Sequence, residues 1–195
     1  MQYLEIATQR LVLRQWREQD FAPFAALNAN PEVMAYFPDV LDRPQSDAMA
    51  SRCASLIAER GWGLWAVEEV ISHRFIGFVG LHIPTYDLPF TPCVEIGWRL
   101  AREHWGQGYA CEAAQAALEI GFHELALPEI VAFTTVANRR SRALMERLGM
   151  QQDSHGDFDH PAVADIPRLR PHVLYRLDRQ RWLQQVEERT ILQPG

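Results

Sequence analysis

Two glycines, one residue apart, sit in the stretch Trp105-Gly106-Gln107-Gly108-Tyr109-Ala110-Cys111-Glu112-Ala113. Before them runs Val94-Glu95-Ile96-Gly97-Trp98-Arg99-Leu100-Ala101, which reads as a buried strand. After them, apolar or small residues fall at 110, 113, 114, 117, 118, 121, 122 and 125, the stripe of an amphipathic helix. A helix N-terminus offers backbone N–H groups that its own ladder leaves unpaired, together with the positive end of the helix dipole. Glycines there remove Cβ atoms, so a phosphate can approach the backbone closely. The chemistry this arrangement suits is the grip of a diphosphate.

Other reactive side chains form weaker patterns. His155, Asp157, Asp159 and His160 can be drawn as a metal cluster, but they lie in a polar stretch without fixed spacing. Their acidity fits better with attracting a cationic amine, and no metal is expected. Cys53, Cys93 and Cys111 are odd in number and lack metal-ligand spacing, so they read as reduced residues of a cytoplasmic protein. His82, His104 and His123 show no partner pattern.

The bulk properties narrow the classes further. The chain has 195 residues, 48% of them hydrophobic and 23% charged, as expected of a single domain over 1–195. A formal charge of -6 argues against a nucleic-acid binder, which wants a basic face. No apolar run approaches the length of about 20 residues that spans a bilayer, so no membrane partner is expected. The start MQYLEIATQRLVLRQW lacks the basic and apolar blocks of a signal peptide.

The elements that must position the glycine turn can be laid out in order. Residues 9–16 alternate as a half-buried strand. Asp20 is placed to cap a helix carrying Phe21, Phe24, Ala25 and Leu27, and a short helical piece after Pro31 holds Val33, Met34 and Phe37. A third helix is expected from Ser46, as N-cap, to Gly61. The β-rich runs Trp62–Val70 and Phe75–Ile83 flank the polar turn Ser72-His73-Arg74, an antiparallel hairpin. Residues 84–92 are a proline-rich loop. Ile130–Val136 reads as a strand, and Asn138 caps a helix that Gly149 ends. Residues 151–171 read as a long surface loop, His172–Leu177 as a last strand, and the charged tail as a helix that frays. The class is α+β with a mostly antiparallel sheet.

At this resolution of detail the chain resembles the GNAT superfamily of acyl-CoA-dependent N-acyltransferases. TQRLVLRQW is similar to the first strand of the branch that holds the ribosomal-protein N-terminal (alanine/serine) acetyltransferases. VEIGWRLA with HWGQGYACEA resembles its fourth strand and pyrophosphate loop. ANRRSRALMERLGM resembles its later helix, and DFDHP and PHVLYRL also look like that branch. The resemblance implies a GNAT fold, with a central, mostly antiparallel, splayed sheet of six to seven strands flanked by helices. Two positions depart from the family pattern. Trp105 stands where Arg or Gln is usual, a change that the ribosomal-protein branch tolerates. Met145 stands where many members carry a tyrosine general acid, and it cannot donate a proton.

The resemblance further implies acetyl-CoA as co-substrate, no metal, and direct acetyl transfer to a primary amine without a covalent enzyme intermediate. Backbone groups near Trp98 and Leu100 would hold the pantetheine amides and acetyl carbonyl between the 94–101 and 130–136 strands. Trp105, Gly106, Gln107, Gly108, Tyr109 and Ala110 would hold the diphosphate, and Asn138 and Ser141 would touch the cofactor. Glu95 is the candidate base, the alternative being a rim carboxylate. Ser141 is the candidate partner of the departing sulfur, the alternative being an ordinary first-turn helix residue. Acceptor binding is assigned to the early helices (20–60) and the 151–171 loop. The expected acceptor is a peptide or protein N-terminal amine. A small-molecule amine is the first alternative, and a non-catalytic acyl-CoA-binding domain the second. The expected assembly is a monomer or homodimer.

Overall fold

The computed structural model describes residues 4–192. Its elements are, in order, β1 (Ile6–Ala7), β2 (Leu11–Arg14), α1 (Phe21–Asn28), α2 (Arg43–Arg60), β3 (Leu64–Glu69), β4 (Phe75–His82) and β5 (Glu95–Leu100). There follow α3 (Tyr109–Glu119), β6 (Glu129–Thr135), α4 (Arg139–Arg147), β7 (Gln151–Gln152), β8 (Phe158–Asp159), β9 (Pro171–Asp178) and α5 (Arg179–Leu192). The fold is α+β, as expected, and its mostly antiparallel strands include a parallel pair and number nine among the described residues, where six to seven were expected. The six longer strands are β2 to β6 and β9, and the other three have two residues each. The chain forms two compact units, the first being residues up to His82 with Ile96–Ala117, and the second Ile83–Glu95 with residues from Leu118 on.

In the first unit the strands follow one another as β1-β2-β3-β4-β5. β2 pairs with β3 antiparallel at Leu13↔Val67, and β3 with β4 at Trp65↔Val79. The hairpin read from sequence is present, with His73 at φ 53 closing its turn. Leu11, Leu13, Phe24, Ile57, Trp65, Ile76 and Leu81 are fully buried and form the core of this unit. Trp16 meets Phe24 edge-on at 4.9 Å, so α1 is held by aromatic packing, whose geometry adds to simple area burial.

Three local expectations in this unit are corrected. Asp20 precedes α1 but makes no cap bond, because its carboxylate is committed to a buried pair with Arg14. α2 begins at Arg43, capped by Asp42, whose side chain accepts from Gln45 N–H while Gln45 returns a bond to Asp42 N–H. That reciprocal box outcompetes Ser46, which is buried inside the helix and accepts from Asn28 Nδ2 at 2.8 Å. The stretch after Pro31 forms turns rather than a helical piece, since the Asn30 carboxamide oxygen accepts from Glu32 N–H at 2.9 Å. Gly61 ends α2 at φ 84, as read.

In the second unit β6 and β9 run antiparallel from Glu129↔Asp178 to Thr135↔His172. β7 and β8 also pair with β9. Glu95 at the head of β5 pairs in the parallel sense with Val131, which makes the sheet mixed. Phe122 stacks on Trp182 at 5.2 Å and anchors α5. Residues 151–171 are more ordered than the loop expected, because they contain β7, β8 and a 3-10 turn at Pro161–Val163, and bury Val163 and Leu169. The frayed end expected of the tail, at 193–195, lies outside the described residues. No helix among the described residues is long and apolar enough to cross a membrane.

Candidate functional site

The glycine turn lies where β5 passes into α3, entirely within the first unit. Gly106 and Gly108 adopt φ 75 and φ 83, the left-handed region that glycine enters without penalty. Space is not what selects glycine here. A Cβ at Gly106 would meet nothing within 4 Å, and one at Gly108 only the Arg10 guanidinium at 3.4 Å. The conformation and the clear approach to the backbone are the two features that remain. The Glu112 N–H donates to Gly108 O at 3.0 Å, so the N–H groups of Gly108, Tyr109 and Ala110 come ahead of that rung.

Side chains on three sides fix this turn. The Trp105 indole N–H donates to Leu100 O at 2.8 Å and its backbone N–H to Arg102 O at 3.3 Å. Trp105 thus shapes the turn from inside, with the Arg102 guanidinium 5.0 Å above its ring. Gln107 donates from Nε2 to Glu103 O at 2.9 Å. Its carbonyl accepts from Arg10 at 3.0 Å. Arg10 also pairs with Glu112 at 2.7 Å, and Glu112 accepts from the Thr8 hydroxyl at 2.7 Å and the Arg10 N–H at 2.8 Å. Burial alone would raise the Glu112 carboxyl, but these Thr8 and Arg10 bonds outweigh it and hold the group below the usual range. A carboxylate in the first turn of α3 also suits the helix dipole. The Tyr109 hydroxyl donates to Glu69 Oε1 at 2.5 Å.

Trp98 is half-buried on β5, and Leu100 is buried with its carbonyl committed to Trp105. The remaining candidates lie in the second unit. Glu95 is half-buried at the head of β5, beside Cys93. Burial, reinforced by the Glu95 charge, pushes the Cys93 thiol up to about 11. Asn138 caps α4, accepting from Ser141 N–H at 3.2 Å and donating to Thr134 Oγ1 at 3.0 Å. Its capping role is therefore present, and both ends of the carboxamide are used. Ser141 is half-buried, and among the described residues no hydrogen bond engages its hydroxyl. Met145 is buried within α4.

The acidic loop is not uniformly solvated. Asp153 pairs with Arg176 at 2.8 Å and Asp159 with Arg170 at 3.2 Å. His160 is buried beside Phe133, Phe158, Tyr86 and His172, and its Nδ1 accepts from Ala162 N–H at 3.2 Å. Burial, aided by the neighbouring His172, lowers its pKa to about 4. Among the described residues no group of three or more His, Cys, Asp or Glu is placed to hold a metal ion.

A family model for the acetyltransferase (GNAT) domain matches residues 10–151. The chain belongs to the GNAT acetyltransferase family. It is 31% identical over 153 residues to a Bacillus subtilis (strain 168) protein named Uncharacterized N-acetyltransferase YnaD, covering 77% of this chain and 84% of that one. It is 30% identical over 171 residues to the FsC-acetyl coenzyme A-N(2)-transacetylase of Aspergillus fumigatus, covering 80% of this chain and 68% of that one. Among solved structures it is similar to an acetyltransferase from Agrobacterium tumefaciens str. C58. That match has a TM-score of 0.73 and 28% identity, over 91% of this chain and 95% of that one. This GNAT acetyltransferase uses acetyl-CoA.

Three side chains that the structure brings forward were not singled out in the sequence. Arg10 and Glu112 lie 102 positions apart, and no periodicity links them. Arg99 reads as one polar residue in an apolar run, and only its burial gives it meaning. An interior charge in a strand otherwise apolar on both sides is the signal that was available.

Proposed function

We propose that this GNAT acetyltransferase moves the acetyl group of acetyl-CoA onto a peptide or protein N-terminal amine, as a single domain in the cytoplasm. The observation that carries the donor side is the paired left-handed glycines ahead of α3, which suit backbone N–H groups of residues 106–110 to a diphosphate. Among the described residues Cys53, Cys93 and Cys111 form no disulfide, in keeping with a reducing compartment.

The amine must be neutral to attack. A peptide α-amino group, with a pKa near 7.7–8.0, is neutral in roughly a tenth of molecules at pH 7, whereas a lysine near 10.4 is neutral in only about one in 10³. A weak base suffices for the former, and we assign that role to Glu95. Nitrogen forms its bond to the carbonyl carbon, the carbon–sulfur bond breaks, and the sulfur leaves as thiolate near Ser141. With Met145 in place of a tyrosine acid, the thiolate takes its proton from water. Trp98 and Leu100 backbone groups are assigned to the pantetheine arm, and Asn138 to the cofactor as well as to its cap. Holding amine and thioester in line is worth roughly 7–11 kcal/mol, so positioning supplies much of the rate.

A second reading keeps the chemistry and makes the acceptor a small-molecule amine. The name of the Aspergillus fumigatus relative, an acetyl coenzyme A-N(2)-transacetylase, favours it. A thiol-release assay with acetyl-CoA against peptides and small amines tests both. Turnover with peptides of free N-terminus supports the first reading, and turnover confined to small amines supports the second. Tight CoA binding with no turnover on any amine overturns both.

A further inference from the structure

Two arginines of the first unit are buried to a similar degree and treated differently. Arg14 is 1% exposed, with Asp20 holding both of its terminal nitrogens at 2.7 and 2.9 Å and Glu68 accepting from its Nε at 2.7 Å. Arg99, on β5, is 8% exposed, and among the described residues it forms no ion pair. One terminal nitrogen donates to Asn28 Oδ1 at 2.7 Å and lies 3.9 Å from Met49 Sδ. The guanidinium carbon sits 4.0 Å over the Phe37 ring and 5.4 Å from that of Phe78. Its Nε is buried and without a hydrogen-bond partner.

A buried cation with neutral neighbours is costly, because the partners return only part of its lost hydration. The two rings offset some of this, because the face of an aromatic ring attracts a desolvated cation. Burial lowers the Arg99 pKa only to about 10, so the charge persists at neutral pH. The edge of the guanidinium that carries Nε is the edge a carboxylate takes in a two-pronged bond. Arg99 also contacts α1 through Asn28 and α2 through Met49, the helices to which acceptor binding is assigned.

We propose that Arg99 receives a carboxylate carried by the amine acceptor, with Asn28 orienting the guanidinium and Phe37 and Phe78 keeping it desolvated. The substrate class is an amine that also bears a carboxylate, either a small amino acid or a peptide acidic near its N-terminus. This rests on the acetyltransferase reading above.

The test uses matched acceptors in the thiol-release assay: amino acids against their carboxamides, and peptides with Glu against Gln at the second position. Wild type is expected to favour the acid by roughly tenfold or more in kcat/KM, as a hydrogen bond to a charged group allows. Arg99→Met should abolish the preference. Asn28→Asp gives Arg99 an internal carboxylate while Ser46 turns its hydroxyl to donate, so it should abolish the preference and raise the melting temperature. It therefore keeps the test alive where Arg99→Met does not fold. In parallel, N-acetylglycine should raise the melting temperature of wild type but not of Asn28→Asp, and N-acetylglycinamide should raise neither. Turnover without acid preference overturns the inference and leaves the acetyltransferase reading standing. A melting shift specific to the carboxylate, with no amine turned over, supports the anion site while the acceptor reading falls. Neither turnover nor shift overturns both.

Discussion

Arg10 and Glu112 clamp the glycine turn from opposite ends of the first unit's sequence. The guanidinium reaches Glu112 at 2.7 Å on α3 and the Gln107 carbonyl at 3.0 Å within the turn, while its central carbon lies 4.6 Å from the Tyr109 ring centroid. The Arg10 backbone N–H donates to the same carboxylate, so strand position and helix start are set by one residue pair. The cradle's geometry therefore depends on the segment that leads into β2 as well as on the glycines.

Arg10→Ala should loosen the turn without touching reacting atoms. Its side chain is 41% exposed, so the loss is expected in cofactor affinity rather than in global stability. KM for acetyl-CoA should rise by roughly tenfold, equivalent to about 1.4 kcal/mol, with kcat near wild type. Steady-state kinetics with acetyl-CoA varied would decide it. An unchanged KM removes Arg10 from the cradle.

Gly108 separates conformation from clearance. Any side chain at φ 83 is strained by about 1–2 kcal/mol, and asparagine tolerates that region better than alanine or valine. Gly108→Val should lower both thermal stability and acetyl-CoA affinity. Gly108→Asn should recover much of the stability while KM stays raised, because its side chain still crowds Arg10, 3.4 Å from a Cβ at this position, and the backbone approach assigned to the diphosphate. Recovery of both in the asparagine variant would show that only the backbone angle matters.

Glu95→Gln addresses the base. At pH 7 most α-amine is protonated, and losing the base should lower kcat by up to about 10²-fold, the lower end for general-base catalysis. At pH 9 an amine of pKa near 8 is already mostly neutral, so the deficit should shrink. Parallel pH profiles for variant and wild type would exclude Glu95 from the reaction.

Much of the donor side was legible because it is local. The glycines, the strand before them and the helical stripe after them lie within about thirty residues, and each obeys a short-range rule. The Asn138 cap and the Gly61 and Gly149 stops were legible for the same reason. What failed was competition between local candidates. Asp20 has the right chemistry for a cap, yet a buried Arg14 claims it, and Asp42 with Gln45 outbids Ser46. Long-range charge pairing decides such cases, and no window of sequence contains both partners. Arg99 was hidden for the complementary reason, since its meaning lies in a partner it lacks.

The Arg14–Asp20 pair should carry stability rather than activity. Both side chains are 1% exposed, so Asp20→Ala leaves a buried guanidinium with Glu68 as its remaining carboxylate. Removing one partner of a buried pair costs about 3–5 kcal/mol. Urea unfolding should show that loss in the midpoint. A change under about 1 kcal/mol would mean that water or Glu68 compensates.

His160 predicts a specific acid sensitivity. Its ring is held neutral in the fold by burial and by His172, whose ring centroid is 4.9 Å away, with a pKa near 4 against an ordinary 6.5. The unfolded chain therefore takes up a proton on this residue at a higher pH than the folded one does. Its contribution is fully present above pH 6.5 and is lost as pH falls towards 4. A shift of this size corresponds to an order of 3 kcal/mol at most. His160→Asn keeps an acceptor for the Ala162 N–H at the head of the 3-10 turn but does not titrate there. Between pH 6.5 and 4 the melting temperature of wild type should fall more steeply than that of His160→Asn, while carboxylate effects common to both cancel. Equal slopes would mean that His160 takes up its proton within the folded state at its ordinary pKa.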